Sequence, residues 1–304
     1  MSSAADDQIA FQFLPRFRAY KDGRVERFFG SDVVPASTDS GDGVSSKDVK
    51  IDPETGVSAR IFIPASTEPD QKLPLVVYFH GGGFFMGSPF CSAYHNYVSQ
   101  MSAKVNAVVV SVDYRLAPEY PIPTAFEDSW ASLKWVASHC NGKGPEPWLN
   151  VHADFGRVFL VGDSAGGNMV HNMAVQAGDE GLAGVKLLGI CPIQPFFGSK
   201  DGEVGEYWKF VHPTARFNDP LITPTADSRL SRMGCSRVLI FIAEKDNLRE
   251  RDMFYYETLK GSGWSGEVEV VETEGEDHAF QLFNPESEKA VALMNKIVSF
   301  INQE

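Results

Sequence analysis

The stretch "VFLVGDSAGGNMVHNMA", residues 158–174, decides the fold. A β-branched, apolar run ends at Gly162, and Ser164 stands between Gly162 and Gly166 where a helix-forming pattern begins. Gly162, Asp163, Ser164, Ala165 and Gly166 match G-x-S-x-G. A serine on a sharp strand-to-helix turn holds a strained backbone and exposes its hydroxyl, and only small neighbours let the chain pass that closely. The helix that follows turns its positive N-terminal end toward any developing oxyanion. The pattern alone is common. Its place after a buried-type strand and before a helix makes Ser164 a candidate nucleophile rather than part of an ordinary tight turn.

Working outward, similar apolar runs recur at 59–64, 73–79, 107–114, 157–162, 185–191, 237–243 and 267–273, and they read as strands. The central ones are nearly unbroken Val, Ile, Leu and Phe, as parallel strands covered on both faces require. Helix-length segments at 93–104, 125–139, 165–177, 249–261 and 286–302 alternate with them, which predicts a doubly wound α/β sheet. Two regions break the rhythm: residues 1 to about 45, and about 195–230, which are aromatic, Pro-rich and irregular. Insertions of that length commonly cover a site. One domain over 1–304 with these two cap elements is the simplest partition. Within the first, "DQIAFQFLPRFRAY" at 7–20 reads as helix-like and amphipathic, part of a lid.

A serine hydroxyl is a poor nucleophile until a neutral histidine takes its proton and a carboxylate holds that histidine. Asp246 lies three residues past the strand 237–243, and His278 lies between the strand 267–273 and the last helix. The order Ser164, Asp246, His278 is that of α/β-hydrolases, not of chymotrypsin or subtilisin folds. Glu244 and Asp277 compete for the acid's role, but a sequence neighbour of the histidine reaches its imidazole nitrogen poorly. His95, His139, His152, His171 and His212 lie in helix or cap segments without a partner motif, and none pairs at metal-ligand spacing. In "YFHGGGFFMGS", 78–88, Gly81, Gly82 and Gly83 leave backbone amides able to approach a ligand, as an oxyanion hole needs. A flexible loop is the alternative; a phosphate loop is disfavoured because no G-K-[ST] follows.

Composition sets the outer bounds. Hydrophobic residues make up 43% and charged residues 22% of 304, ordinary for a globular enzyme. A net charge of −13 argues against nucleic acid or an anionic membrane as partner. Cys91, Cys140, Cys191 and Cys235 lack C-x-x-C spacing, so neither a metal site nor a disulfide framework is indicated. The first residues carry acids and a proline where a signal peptide needs a basic flank, and no apolar run approaches the ~20 residues of a membrane span, so a cytoplasmic address is expected.

The motifs "HGGG" at 80–83, "VDYRLAPE" at 112–119 and "GDSAGG" at 162–167 resemble the hormone-sensitive-lipase-like branch of the α/β-hydrolases. More narrowly, "KDGRVER" at 21–27, "YHNYV" at 94–98, "HPTA" at 212–215 and "EDHAFQLF" at 276–283 resemble plant carboxylesterases, and the likeness spans almost the whole chain. The resemblance implies a mostly parallel, eight-stranded sheet flanked by helices, with a cap from the N-terminal segment and an insertion after the sixth strand. It implies no cofactor, and it makes the amides of Gly82, Gly83 and Ala165 the oxyanion donors. Gibberellin receptors are similar but lack the catalytic histidine and carry serine in the last glycine place of the first motif. Here His278 and Gly83 point away from hormone binding without catalysis. Isoflavanone dehydratases and plant alkaloid cyclases use the same pocket for elimination or ring closure, and position 164 does not separate them.

The reading is a serine carboxylesterase acting on small to medium esters through an acyl-enzyme. Ser164 attacks, His278 moves the proton and Asp246 orients His278. A dehydratase, lyase or cyclase of plant specialised metabolism is the alternative. Phe84, Phe85, Phe196 and Phe197, beside the catalytic loops, are expected to line an apolar substrate pocket, with core packing as the other reading. The natural substrate and the oligomeric state are not legible.

Overall fold

The computed structural model describes residues 8–38, 41 and 43–303. The stretch read as helix-like at 7–20, whose first residue lies outside the described ones, is not helical over 9–20. Ile9–Phe13 (β1), Phe17–Tyr20 (β2) and Val25–Arg27 (β3) pair antiparallel into a small three-stranded sheet. Pro15 has no amide to donate and would break a helix in its middle. The burial period is also two: Phe17 and Ala19 are buried while Arg18 and Tyr20, which alternate with them, are half-buried.

All seven apolar runs form strands: Ser58–Pro64 (β5), Leu73–Phe79 (β6), Val108–Asp113 (β7), Ala153–Asp163 (β8), Leu187–Ile193 (β9), Arg237–Ala243 (β10) and Glu267–Thr273 (β11). An eighth, Val44–Lys50 (β4), completes a sheet of order β11-β10-β9-β8-β6-β7-β5-β4. Only β4 with β5 and β5 with β7 pair antiparallel. The polar edge strand β4 reads "VSSKDVK", which is why its sequence gives no strand signal, and it begins inside the segment expected to be cap.

Side-chain alternation divides the core. Leu75, Val77 and Phe79 of β6 pack with helices Thr124–Ala137 (α2), Ala165–Glu180 (α4) and Arg249–Gly261 (α6). Val76 and Tyr78 pack on the opposite face with Ser92–Val105 (α1) and Glu288–Asn302 (α8). Three short helices, Pro147–His152 (α3), Glu206–Val211 (α5) and Phe280–Phe283 (α7), have no counterpart in the sequence reading.

The topology places the site. From β6 the chain crosses one face through α1 to β7, then returns across the other through α2 to β8, on the far side of β6. Strand order therefore reverses between β6 and β8, and their following loops open side by side at the carboxyl ends, where such sheets bind ligands. Among the described residues no helix is long and apolar enough to cross a membrane.

Two buried histidines make the fold acid-sensitive. Burial lowers His80 to about 4 despite its hydrogen bond to the Gly81 carbonyl. Burial likewise lowers His171 to about 4, opposed by Asp227. Below about pH 6.5 the unfolded chain binds protons at these sites that the folded chain refuses, so stability is lost as pH falls toward 4. The urea midpoint should be lower at pH 5 than at pH 7, by roughly 2 kcal/mol of stability per histidine. His171→Phe should flatten that dependence in equilibrium unfolding, and an unchanged slope would refute this account.

Candidate active site

Three loops at the carboxyl ends of the strands bring Ser164, Asp246 and His278 together. Ser164 Oγ lies 2.9 Å from His278 Nε2, and His278 Nδ1 lies 2.6 Å from Asp246 Oδ2. A carboxylate only accepts, so Nδ1 donates to Asp246 and Nε2 offers its lone pair to the serine hydroxyl. The second Asp246 oxygen accepts the Leu248 amide at 2.9 Å, and the carboxylate is 2% exposed. Glu244 is used elsewhere, accepting the Gly275 amide at 2.6 Å, and Asp277 accepts the amide of His278 itself at 2.7 Å.

Ser164 is the N-cap of α4 with φ 52° and ψ −116°, a conformation that non-glycine residues rarely hold. Its amide donates to the Ile193 carbonyl at 2.9 Å, and its carbonyl accepts the Phe196 amide at 2.9 Å. The flanking glycines are required by proximity: a Cβ on Gly166 would run into the Phe79 carbonyl oxygen, and one on Gly162 into the Gly166 carbonyl.

Between the serine and the glycine loop lies Asp163, which the sequence reading passed over. Its buried carboxylate accepts Tyr78 Oη at 2.6 Å, Tyr94 Oη at 2.9 Å and the Gly81 amide at 3.1 Å. Burial raises its carboxyl above the usual range, and the tyrosine hydrogen bonds hold it back. This one group ties the loop after β6 to the turn after β8. Tyr114 backs the same loop: its hydroxyl donates to the His80 carbonyl at 2.8 Å and its ring stacks on His80 at 4.3 Å. Arg27 of β3 donates to the carbonyls of Phe85 at 2.7 Å and Ala117 at 3.0 Å and pairs with Glu119 at 2.6 Å. The quoted motifs thus act as struts. Gln194 is another: its Oε1 accepts the Ala279 amide at 2.6 Å, beside His278.

A family model described as alpha/beta hydrolase fold matches residues 76–282. The chain is 43% identical to "Probable carboxylesterase 5" of Arabidopsis thaliana, over 97% of this chain and 99% of that one. The chain belongs to the α/β-hydrolase family, in its plant carboxylesterase group. The same hydrolase is 40% identical to a 2-hydroxyisoflavanone dehydratase of Glycyrrhiza echinata, over 99% and 98% of the two chains. Among solved structures it resembles the hyperthermophilic esterase of Pyrobaculum calidifontis, with a TM-score of 0.67, 30% identity and 84% of each chain covered.

Above the serine this hydrolase has a narrow cavity of about 70 Å³, lined by Ser164, His278, Gly82 and Gly83 together with residues from both irregular segments. Phe13, Arg16 and Phe29 come from the N-terminal segment and Tyr207 from α5. Met86, Leu282 and Phe283 complete its apolar wall. Gly82 and Gly83 have φ 103° and 64°. Ala165, the buried first residue of α4, carries one of the first-turn amides that have no intrahelical acceptor. Among the described residues no group of three or more His, Cys, Asp or Glu could hold a metal ion.

The four phenylalanines expected at the pocket do not line it. Phe84, Phe85 and Phe197 are at most 1% exposed in the core, and the half-buried Phe196 packs on Tyr207 with centroids 5.1 Å apart. Phe84 takes φ 67° as the loop turns, and its ring packs against Phe126 and Trp208. Phe85 instead receives Phe17 at 4.3 Å and Tyr207 at 5.4 Å. The cap supplies the wall, and these rings support the cap.

A Cβ at Gly83 would collide with the Tyr207 hydroxyl. Gly83→Ala should therefore lower kcat/KM for a small ester by roughly 10²-fold, the scale of one lost oxyanion donor. Adding Tyr207→Phe should recover part of it in steady-state assays; no recovery would place the damage in the backbone alone.

Proposed function

We propose that the chain is a carboxylic ester hydrolase acting on small to medium esters through an acyl-enzyme on Ser164. The observation that carries the reading is the hydrogen-bonded series Ser164–His278–Asp246, whose serine and histidine line one cavity with Gly82 and Gly83. In this reading His278 Nε2 takes the hydroxyl proton as Oγ bonds to the ester carbonyl carbon. The amides of Gly82, Gly83 and Ala165 receive the charge that develops on the carbonyl oxygen. The imidazolium, held by Asp246, then protonates the leaving alcohol, and a water molecule repeats the sequence on the acyl-enzyme. The whole chain is one α/β domain whose N-terminal sheet and post-β9 segment form a lid that keeps bulk water from the acyl-enzyme. A cytoplasmic address belongs to the same proposal, tested by imaging a fluorescent fusion.

The 40% identity to a dehydratase keeps a second reading in view. Elimination beside a carbonyl needs a base and enolate stabilisation, which His278 and the glycine amides would supply without a covalent serine. One variant separates them. Ser164→Ala should cut ester turnover by about 10⁴-fold or more with the thermal midpoint nearly unchanged, and oxygen from labelled water should enter the acid product. Persistent turnover in Ser164→Ala, with no label incorporated, would establish the lyase instead.

A further inference from the structure

Arg16 is the one arginine or lysine among the described residues lining the cavity, and no carboxylate of the described residues pairs with it. Several arginines elsewhere are answered by carboxylates: Arg27 by Glu119, Arg60 by Asp48, Arg115 by Asp128 and Arg249 by Glu272. Arg16 is also fixed in place. It sits in the turn between β1 and β2, where its amide donates to the Phe13 carbonyl at 2.9 Å and its carbonyl accepts the Phe28 amide at 2.8 Å. Its guanidinium stands 4.5 Å from the Phe283 ring centroid and 5.8 Å from that of Phe29. Aromatic faces orient such a cation without neutralising it. Asp163 lines the same cavity, but its oxygens are occupied by Tyr78, Tyr94 and the Gly81 amide.

We propose that Arg16 binds a carboxylate carried by the substrate, so that the preferred esters are half-esters or others with an acid group a few bonds from the scissile carbonyl. This rests on the ester-hydrolase reading. The guanidinium fork matches a carboxylate in two parallel hydrogen bonds, and a half-buried site screens that pairing less than open water does. The small cavity sets the reach, since Arg16 and Ser164 line the same narrow space. In a chain of net charge −13, a cation in the cavity that Ser164 lines, with no carboxylate partner among the described residues, also draws an anionic substrate inward against the overall field.

The test compares monomethyl glutarate with dimethyl glutarate, following acid release. In the wild-type enzyme kcat/KM should favour the half-ester by about tenfold, Arg16→Gln should abolish that ratio, and Arg16→Lys, which keeps the charge but loses the fork, should keep only part of it. The ratio cancels any general harm from the substitution. Calorimetric titration of monomethyl glutarate into Ser164→Ala gives a readout free of turnover, and adding Arg16→Gln should weaken binding about tenfold. A wild-type preference for the diester, or a ratio and an affinity indifferent to Arg16→Gln, would overturn the proposal. If neither ester is hydrolysed the hydrolase reading fails, and the titration still decides the role of Arg16.

Discussion

The site depends on one backbone conformation, Ser164 at φ 52° and ψ −116°. A non-glycine residue held there costs on the order of 1–3 kcal/mol and persists only where its surroundings over-determine it. Here they do. The Ile193 carbonyl and the Phe196 amide fix the serine from β9 and its exit, and the close approach of Phe79 to Gly166 leaves the turn no room to relax. Asp163, one residue earlier, adds donors from β6, α1 and the glycine loop. The serine turn and the glycine loop are therefore set by the same packed strands, which is the rigid support that the proposed attack by the Ser164 hydroxyl requires.

How far the sequence could be read follows from where each element gets its stability. Strands such as β6 and β10 are buried almost throughout, so composition alone announces them. Ser164 and Asp246 sit just past strands with buried runs and His278 follows the half-exposed edge strand β11, so the α/β alternation alone locates the loops on which the three lie. At the polar edge, β4 has one neighbour strand, and pairing with β5 rather than its own side chains makes it a strand. The segment at 9–20 carries enough aromatics to suggest an amphipathic helix, yet its rings find partners far away. Phe11 stacks on Phe210 at 4.1 Å, and Phe17 meets Phe85 at 4.3 Å. Such contacts belong to tertiary structure and leave no local period to detect.

The pocket was the least legible part, for a related reason. Proximity to a catalytic motif said that Phe84, Phe85, Phe196 and Phe197 lie near the chemistry, but not which way their rings turn. The left-handed turn at Gly82, Gly83 and Phe84 is bound up with that choice, and the exposed wall falls to residues from distant segments. Tyr207 reaches the glycine loop from α5, and nothing in "EYWKFV" marks it as a neighbour of Gly83. Asp163 was overlooked because G-x-S-x-G leaves that position unspecified, although Tyr94 within "YHNYV" is one of its donors.

The bonds of Arg27 to three partners, Phe85, Ala117 and Glu119, bear on how such chains diversify. This residue belongs to the N-terminal sheet, yet it grips the carbonyl of Phe85 in the glycine loop and the Glu119 carboxylate beyond β7. Cover and catalytic loop are consequently one mechanical body rather than a scaffold with a detachable flap. A chimera that exchanges the first thirty or so residues between relatives would transplant a brace of the glycine loop along with the wall of the pocket. New substrate preferences acquired through that segment are thus bound up with changes in the chemical step, and the two traits would be inherited as a unit.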